Sequence, residues 1–219
     1  MSRDVILVDN LDSFTFNLVD AFERLGSRVA VLRNSARAAD VLDRALRNDA
    51  VIVLSPGPGR PEDAGCCLEL ISLAAGRIPL VGICLGHQAI VSQAGGQVVR
   101  ARVPVHGKAT RLHHDGAGPF AGIDGPIHAG RYHSLCTPSP PPRFRVHAEI
   151  DGMAMAISDE DAMQVGLQFH PESILTTGGD QLLANILGQR GSRQTVSRPS
   201  PQENALAARA SLPSGPASG

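Results

Sequence analysis

Pro79-Leu80-Val81-Gly82-Ile83-Cys84-Leu85-Gly86-His87-Gln88-Ala89-Ile90-Val91 is the stretch on which the fold turns. Pro79 to Ile83 is an apolar run of strand length, and from Gly86 to Ala94 the pattern is helical. Between them stands Gly82-Ile83-Cys84-Leu85-Gly86, a G-x-nucleophile-x-G elbow with cysteine as the nucleophile. So tight a turn needs small residues two positions either side of the nucleophile. The thiol is then held at a helix N-terminus, where the positive end of the dipole favours a thiolate. The next backbone N–H, from Leu85, points to where an oxyanion would form. A free cysteine is most often a small buried core residue, but the flanking glycines and the strand-helix junction set Cys84 apart. Cys66 and Cys67, on a helix after a loop, have no such frame and read as structural. Cys136, near a loop, reads as inert.

Outward from the elbow, strand and helix signals alternate. Val5 to Val8 is apolar and ends in Asp9-Asn10. Phe14, Leu18, Ala21, Phe22 and Leu25 then recur at helical spacing until Gly26 stops them. Arg28 to Leu32 reads as a second strand. Val41, Leu42, Ala45 and Leu46 share one helix face, Ala50 to Leu54 is a third strand, and Ala64 to Ala75 suits a helix. Strands that are apolar throughout, with helices between them, predict an α/β protein. Its sheet is open, mostly parallel and twisted, with helices on both faces, and its sites lie at the C-terminal strand ends. The second half has more strand signals: Lys108 to Leu112, Phe144 to Ile150, Met153 to Ile157 and Gln164 to Phe169. Asp151-Gly152 marks a hairpin, and Leu182 to Leu187 a last helix. The folded domain is placed at residues 1–189. Residues 190–219 are rich in Ser, Pro and Ala, with Glu203 the only acid among four arginines, and are expected to be a disordered tail.

Composition narrows the function. A net charge of −1 gives no basic surface for nucleic acid or membrane. One Tyr, six Phe and no Trp leave little for base stacking. The four cysteines make no CxxC pair and no metal spacing. No apolar run reaches the ~18 residues of a membrane span, and the N-terminus lacks the pattern of a signal peptide. A soluble, cytoplasmic protein with reduced thiols is expected. GxxxxGK[ST] and a GxGxxG after the first strand are both missing, so ATP and NAD are not implied.

Two further segments complete the chemistry. Ser55-Pro56-Gly57-Pro58-Gly59 follows the third strand; its prolines stiffen it, its glycines let backbone approach a ligand, and it can supply a second oxyanion donor. Gln168-Phe169-His170-Pro171-Glu172-Ser173 ends the last strand. A thiol is only a few per cent ionised at neutral pH and needs a base, which histidine supplies. Pro171 holds His170 extended, and residues two apart in an extended segment share a face. Glu172 can therefore orient the imidazole. Of the eight histidines only His170 combines a strand end, a stiffening proline and a nearby acid. His113-His114-Asp115, in a Gly-rich loop, is rejected as a metal site.

Taken together, these motifs resemble the class I, Cys-triad glutamine amidotransferases, whose fold is flavodoxin-like. The likeness runs over about residues 4–188 and rests on Leu7 through Thr15, Ser55 through Gly59, Gly82 through Gln88, His106-Gly107-Lys108, Arg131-Tyr132-His133-Ser134-Leu135 and Gln168 through Thr176. Within the family the chain is similar to anthranilate synthase component II and to the glutaminase subunit of aminodeoxychorismate synthase. Gly82 through Val91 and Ser173 through Thr177 look most like the anthranilate branch.

The resemblance implies a catalytic triad of Cys84, His170 and Glu172. It implies an L-glutamine site formed by Gly57, Pro58, Gly59, Leu85, Gln88, Ser134 and Leu135, the last two through backbone atoms. Asn10, Asp12 and Ser13 lie beside that site at a strand end, where they fit a partner interface or, for Asp12 or Ser13, more simply a helix cap. The resemblance further implies no metal or cofactor in this chain. Ammonia would pass to a chorismate-using synthase subunit (anthranilate synthase component I), which carries Mg2+ and makes anthranilate for tryptophan biosynthesis.

Overall fold

The structure is a computed structural model and describes residues 3–188; the expected tail lies outside the described residues. The first half folds as β1 (Val5–Asp9), α1 (Thr15–Arg24), β2 (Val29–Arg33), α2 (Ala38–Arg47), β3 (Val51–Leu54), α3 (Cys67–Ala74), β4 (Leu80–Ile83) and α4 (Leu85–Gln93). The second half adds β5 (Val99–Arg100), β6 (Lys108–Leu112), β7 (Ile127–Arg131), β8 (Leu135–Cys136), β9 (Arg145–Ile150), β10 (Met153–Asp159), β11 (Gln164–Leu167) and α5 (Gly179–Gly188).

Seven strands make the main sheet, in the order β2-β1-β3-β4-β11-β10-β9. β1 pairs in parallel with β2 and β3, β3 with β4, and β4 with β11. β10 and β9 run antiparallel and close one edge, joined at the expected Asp151-Gly152 turn. Every residue of β1, β3, β4 and β11 is buried, as a sheet covered on both faces demands. One core layer packs Phe22, Phe120, Phe169 and Leu182 against one face. The other packs Leu42, Leu70, Ile71 and Ile90 against the opposite face. Each such side chain contributes roughly 1.5–3 kcal/mol on burial.

Three expectations need correction. The helix predicted from Ala64 begins at Cys67. Pro61–Asp63 form a 3-10 turn first, and Gly65 takes φ +58° with its α-carbon so near Asn34 that a Cβ would sit 2.3 Å from that residue's carbonyl oxygen. Leu46, placed on the buried face of α2, is 38% exposed. β7 and β8 were not foreseen as strands, nor was the two-residue β5. β7 and β8 pair with β6 and β5 in two small sheets beside the main one. Their pairing partners are distant in sequence, and His128 and Gly130 break any apolar run.

Candidate active site

The elbow is built by contact as well as by conformation. Cys84 has φ +52° and ψ −99°, a region that non-glycine residues enter at a cost of order 1–3 kcal/mol. A Cβ on Gly82 would lie 2.3 Å from the backbone of Gly86, and one on Gly86 would lie 2.5 Å from the Leu54 carbonyl oxygen. The two glycines let β4, α4 and β3 touch. The Cys84 N–H donates to Leu167 O (2.8 Å), and the Cys84 carbonyl accepts from Gln88 N–H (3.1 Å). Leu85 opens α4, so its N–H has no acceptor within the helix.

The glycine-proline loop is clamped from β1. Asn10 is buried; its backbone N–H donates to Ser55 Oγ (2.8 Å) and its Nδ2 to Ser55 O (2.9 Å). Gly57 passes so close to Asn10 and Leu85 that a Cβ would meet them at 2.6 and 2.8 Å, while a Cβ on Gly59 would make only ordinary contacts with Asp63 at 3.8–3.9 Å, but its φ is +81°. Pro58 stands between them. Asn10 thus holds this loop in place. Asp12 shapes the turn into α1, its Oδ1 accepting from Phe14 N–H at 2.7 Å. It is not the N-cap, which is Phe14.

His170 lies just past β11 and is buried. Its Nδ1 meets Glu172 Oε1 at 2.7 Å, and the Glu172 side chain is wholly enclosed. Main-chain bonds fix the position: His170 N–H donates to Gly130 O on β7 (3.0 Å), and Thr176 Oγ1 donates to His170 O (2.5 Å). Phe14 and Tyr132 each set a ring 5.0 Å from the imidazole, near edge-on. Nε2 makes no aligned hydrogen bond. Burial pulls the His170 pKa down, but Cys84 and Glu172 outweigh it and push it up to about 10. The sulfur therefore couples to the ring from a position short of a formed hydrogen bond. Such apo geometry is common in catalytic pairs.

A string of side chains joins the remaining residues. Gln88 Nε2 donates to Leu135 O (3.2 Å) and to Gln168 Oε1 (3.1 Å). Gln168 Nε2 lies 3.7 Å from Cys84 Sγ. Leu135 O also meets His133 Nδ1 at 2.8 Å, and Arg131 Nε donates to His133 Nε2 at 3.1 Å. The backbone carbonyls of both Ser134 and Leu135, residues expected to hold glutamine through backbone atoms, thus have internal donors, since Ser134 O accepts from Ala101 N–H. The exposed Ser134 hydroxyl has no partner among the described residues.

Sequence reasoning assigned no role to Gln168, Phe14, Tyr132 or Thr176. Gln168 had a signal: it stands two residues before His170 and so shares its face of an extended segment. The packing of Phe14 and Tyr132 on His170 had none. The other three cysteines are buried. Burial raises the pKa of Cys66 and Cys136, and pushes that of Cys67 up to about 12, which keeps them poor nucleophiles. His87 is wholly buried against Thr137. No group of His, Cys, Asp or Glu among the described residues is arranged to hold a metal ion, and no described helix is long and apolar enough to cross a membrane.

A buried imidazole–carboxylate pair facing a cysteine on a strained elbow, beside a glycine-rich loop, is the layout of a Cys-dependent amide hydrolase. The family model for glutamine amidotransferase class-I matches residues 6–189, and the chain belongs to that family of enzymes. The pyocyanine-specific anthranilate synthase component 2 of Pseudomonas aeruginosa is 51% identical over 185 residues, 84% of this chain and 92% of that protein. Anthranilate synthase component 2 of Haemophilus influenzae is 44% identical over 82% of this chain and 94% of its own length. The solved structure of a glutamine amidotransferase from Thermotoga maritima superposes with a TM-score of 0.66 at 18% identity, over 78% of this chain and 77% of that one. It shares the fold.

Proposed function

We propose that this chain is the glutamine-hydrolysing component of an anthranilate synthase. The observation that carries the chemistry is Cys84 at φ +52° facing the enclosed His170–Glu172 pair. The names of its relatives favour the anthranilate branch over the aminodeoxychorismate one.

In this reading Cys84 attacks the side-chain carbonyl carbon of glutamine. The N–H groups of Leu85 and Gly59 receive the oxyanion. His170 gives its proton to the departing ammonia, which leaves a thioester. Water, deprotonated by His170, then attacks the thioester and releases glutamate and free Cys84. Glu172 keeps the imidazole oriented throughout. Gln88 and the Ser134–Leu135 segment hold the amino-acid end of the substrate.

Ammonia passes to a chorismate-using synthase subunit that holds the Mg2+. The exposed apolar side chains of Leu11 and Ile174, beside the loops of the site, offer that subunit a docking face. A cytoplasmic location fits this role. Mixing the chain with such a synthase subunit, glutamine and chorismate, and identifying the aromatic product, tests the reading. Anthranilate is expected; 4-amino-4-deoxychorismate would overturn the branch and keep the glutamine chemistry.

A further inference from the structure

A cavity of about 680 Å³ opens between the segment after β5 and the β9–β10 turn. That volume lies within the roughly 300–1,000 Å³ of small-molecule sites. Arg100, Arg102 and Arg131 line it, against a single carboxylate, Asp151. Arg131 is only 4% exposed, yet it has no carboxylate within ion-pair distance among the described residues. Its Nε is spent on His133, and its two terminal nitrogens have no partner there. The terminal nitrogens are not sealed from solvent; they belong to a residue that lines the cavity, and a partly desolvated guanidinium is favourably met by a carboxylate. Burial accordingly pulls the Arg131 pKa below its ordinary value, with Asp151 and Cys136 acting the other way. Arg100 and Arg102 also lack ion-pair partners among the described residues. The rest of the wall is largely apolar, with Val103 and Met153 among its members.

We infer that this cavity binds a small organic acid, its carboxylate on Arg131 with Arg100 and Arg102 at the rim, and its apolar body against Val103 and Met153. A planar guanidinium fork matches a carboxylate with two parallel hydrogen bonds. A bare inorganic anion would leave the apolar walls uncovered. The cavity's lining includes none of the residues assigned to glutamine, and the inference does not depend on which synthase the chain serves.

Calorimetric titration of the full chain with sodium benzoate tests it, with benzyl alcohol and sodium sulfate as controls. Benzoate is expected to bind saturably and more tightly than either control. Arg131→Gln should weaken it about tenfold or more, the size of one lost charge-assisted hydrogen bond. The double variant Arg100→Ala/Arg102→Ala, altered only at exposed positions, should weaken it severalfold with an unchanged circular dichroism spectrum; it decides the matter if Arg131→Gln does not fold. Three results overturn the proposal: no saturable benzoate binding, benzoate binding indifferent to the arginines, or benzyl alcohol binding equally well. If benzoate fails while the double variant loses affinity for the synthase partner, the arginines serve a protein carboxylate and the small-acid site is likewise refuted.

Discussion

The half of the site that carries Cys84 and the half that carries His170 are held by different means. Around Cys84 the constraint is local backbone: Gly82 and Gly86 flank it within five residues, and a Cβ on either would lie 2.3–2.5 Å from backbone atoms, so only glycine fits. Around His170 the constraint is assembled from afar. Gly130 on β7, Tyr132 just beyond it and Phe14 ahead of α1 all converge on one imidazole. A nucleophile can thus be fixed by a short motif, whereas a base that must stay oriented depends on residues drawn from both halves of the chain.

This contrast can be tested in order of decreasing effect. Cys84→Ala is expected to lower glutamine-dependent synthesis by about 10⁴-fold or more, while the complex still uses added ammonia. Loss of both activities would mean that Cys84 matters to assembly. Gly82→Ala should destabilise the fold by about 3 kcal/mol or more, since its clash is with backbone; a wild-type urea midpoint would refute the contact argument. Glu172→Gln is expected to cost about 10²-fold or more in glutaminase rate with little change in glutamine KM. A change confined to KM would remove Glu172 from the orienting role.

Acid should strain both halves through two buried histidines. Burial, with some charge repulsion, depresses His87 to about 3 and His133 to about 4. Both lie below the ordinary ~6.5 of the unfolded chain. The unfolded state therefore takes up protons first. This stability is fully present above about pH 6.5 and is lost as pH falls toward 4, at roughly 2 kcal/mol per histidine by pH 5. Urea midpoints at pH 7 and 5 check it; equal midpoints would show that neither histidine is held neutral. Gly130→Ala should have the smallest effect, ~1 kcal/mol, because its Cβ would meet only side-chain atoms of Ser173 and Leu175 at 3.0–3.2 Å, a tight fit but well short of the 2.3 Å backbone clash at Gly82. A loss as large as that of Gly82→Ala would erase the contrast.

Legibility in the sequence follows the same division. The Gly82–Gly86 elbow, the Ser55–Gly59 loop and the apolar strands were readable because strand length, turn residues and helix stops act within a few positions. The His170–Glu172 pairing was readable because Pro171 forces a local geometry. β7 and β8 were not, since pairing of Lys108 with Arg131, or of Val99 with Cys136, leaves no local periodicity. The same holds for Phe14, whose ring fits the helical spacing of a core residue but packs on His170. Asn10 read as a residue beside the site at a partner interface; its clamp on the Ser55–Gly59 loop had no signal in the sequence.

The string from Arg131 to Cys84 has a direction. Arginine can only donate, so His133 accepts at Nε2 and carries its proton on Nδ1. The Leu135 carbonyl can only accept, so Gln88 must show it an amide nitrogen, and Gln168 must in turn show Gln88 its oxygen. The nitrogen of Gln168 is left facing the sulfur. One carbonyl on a two-residue strand thus sets which way two distant amides point, and the nucleophile is met by a donor, the polarity that suits a thiolate over a thiol.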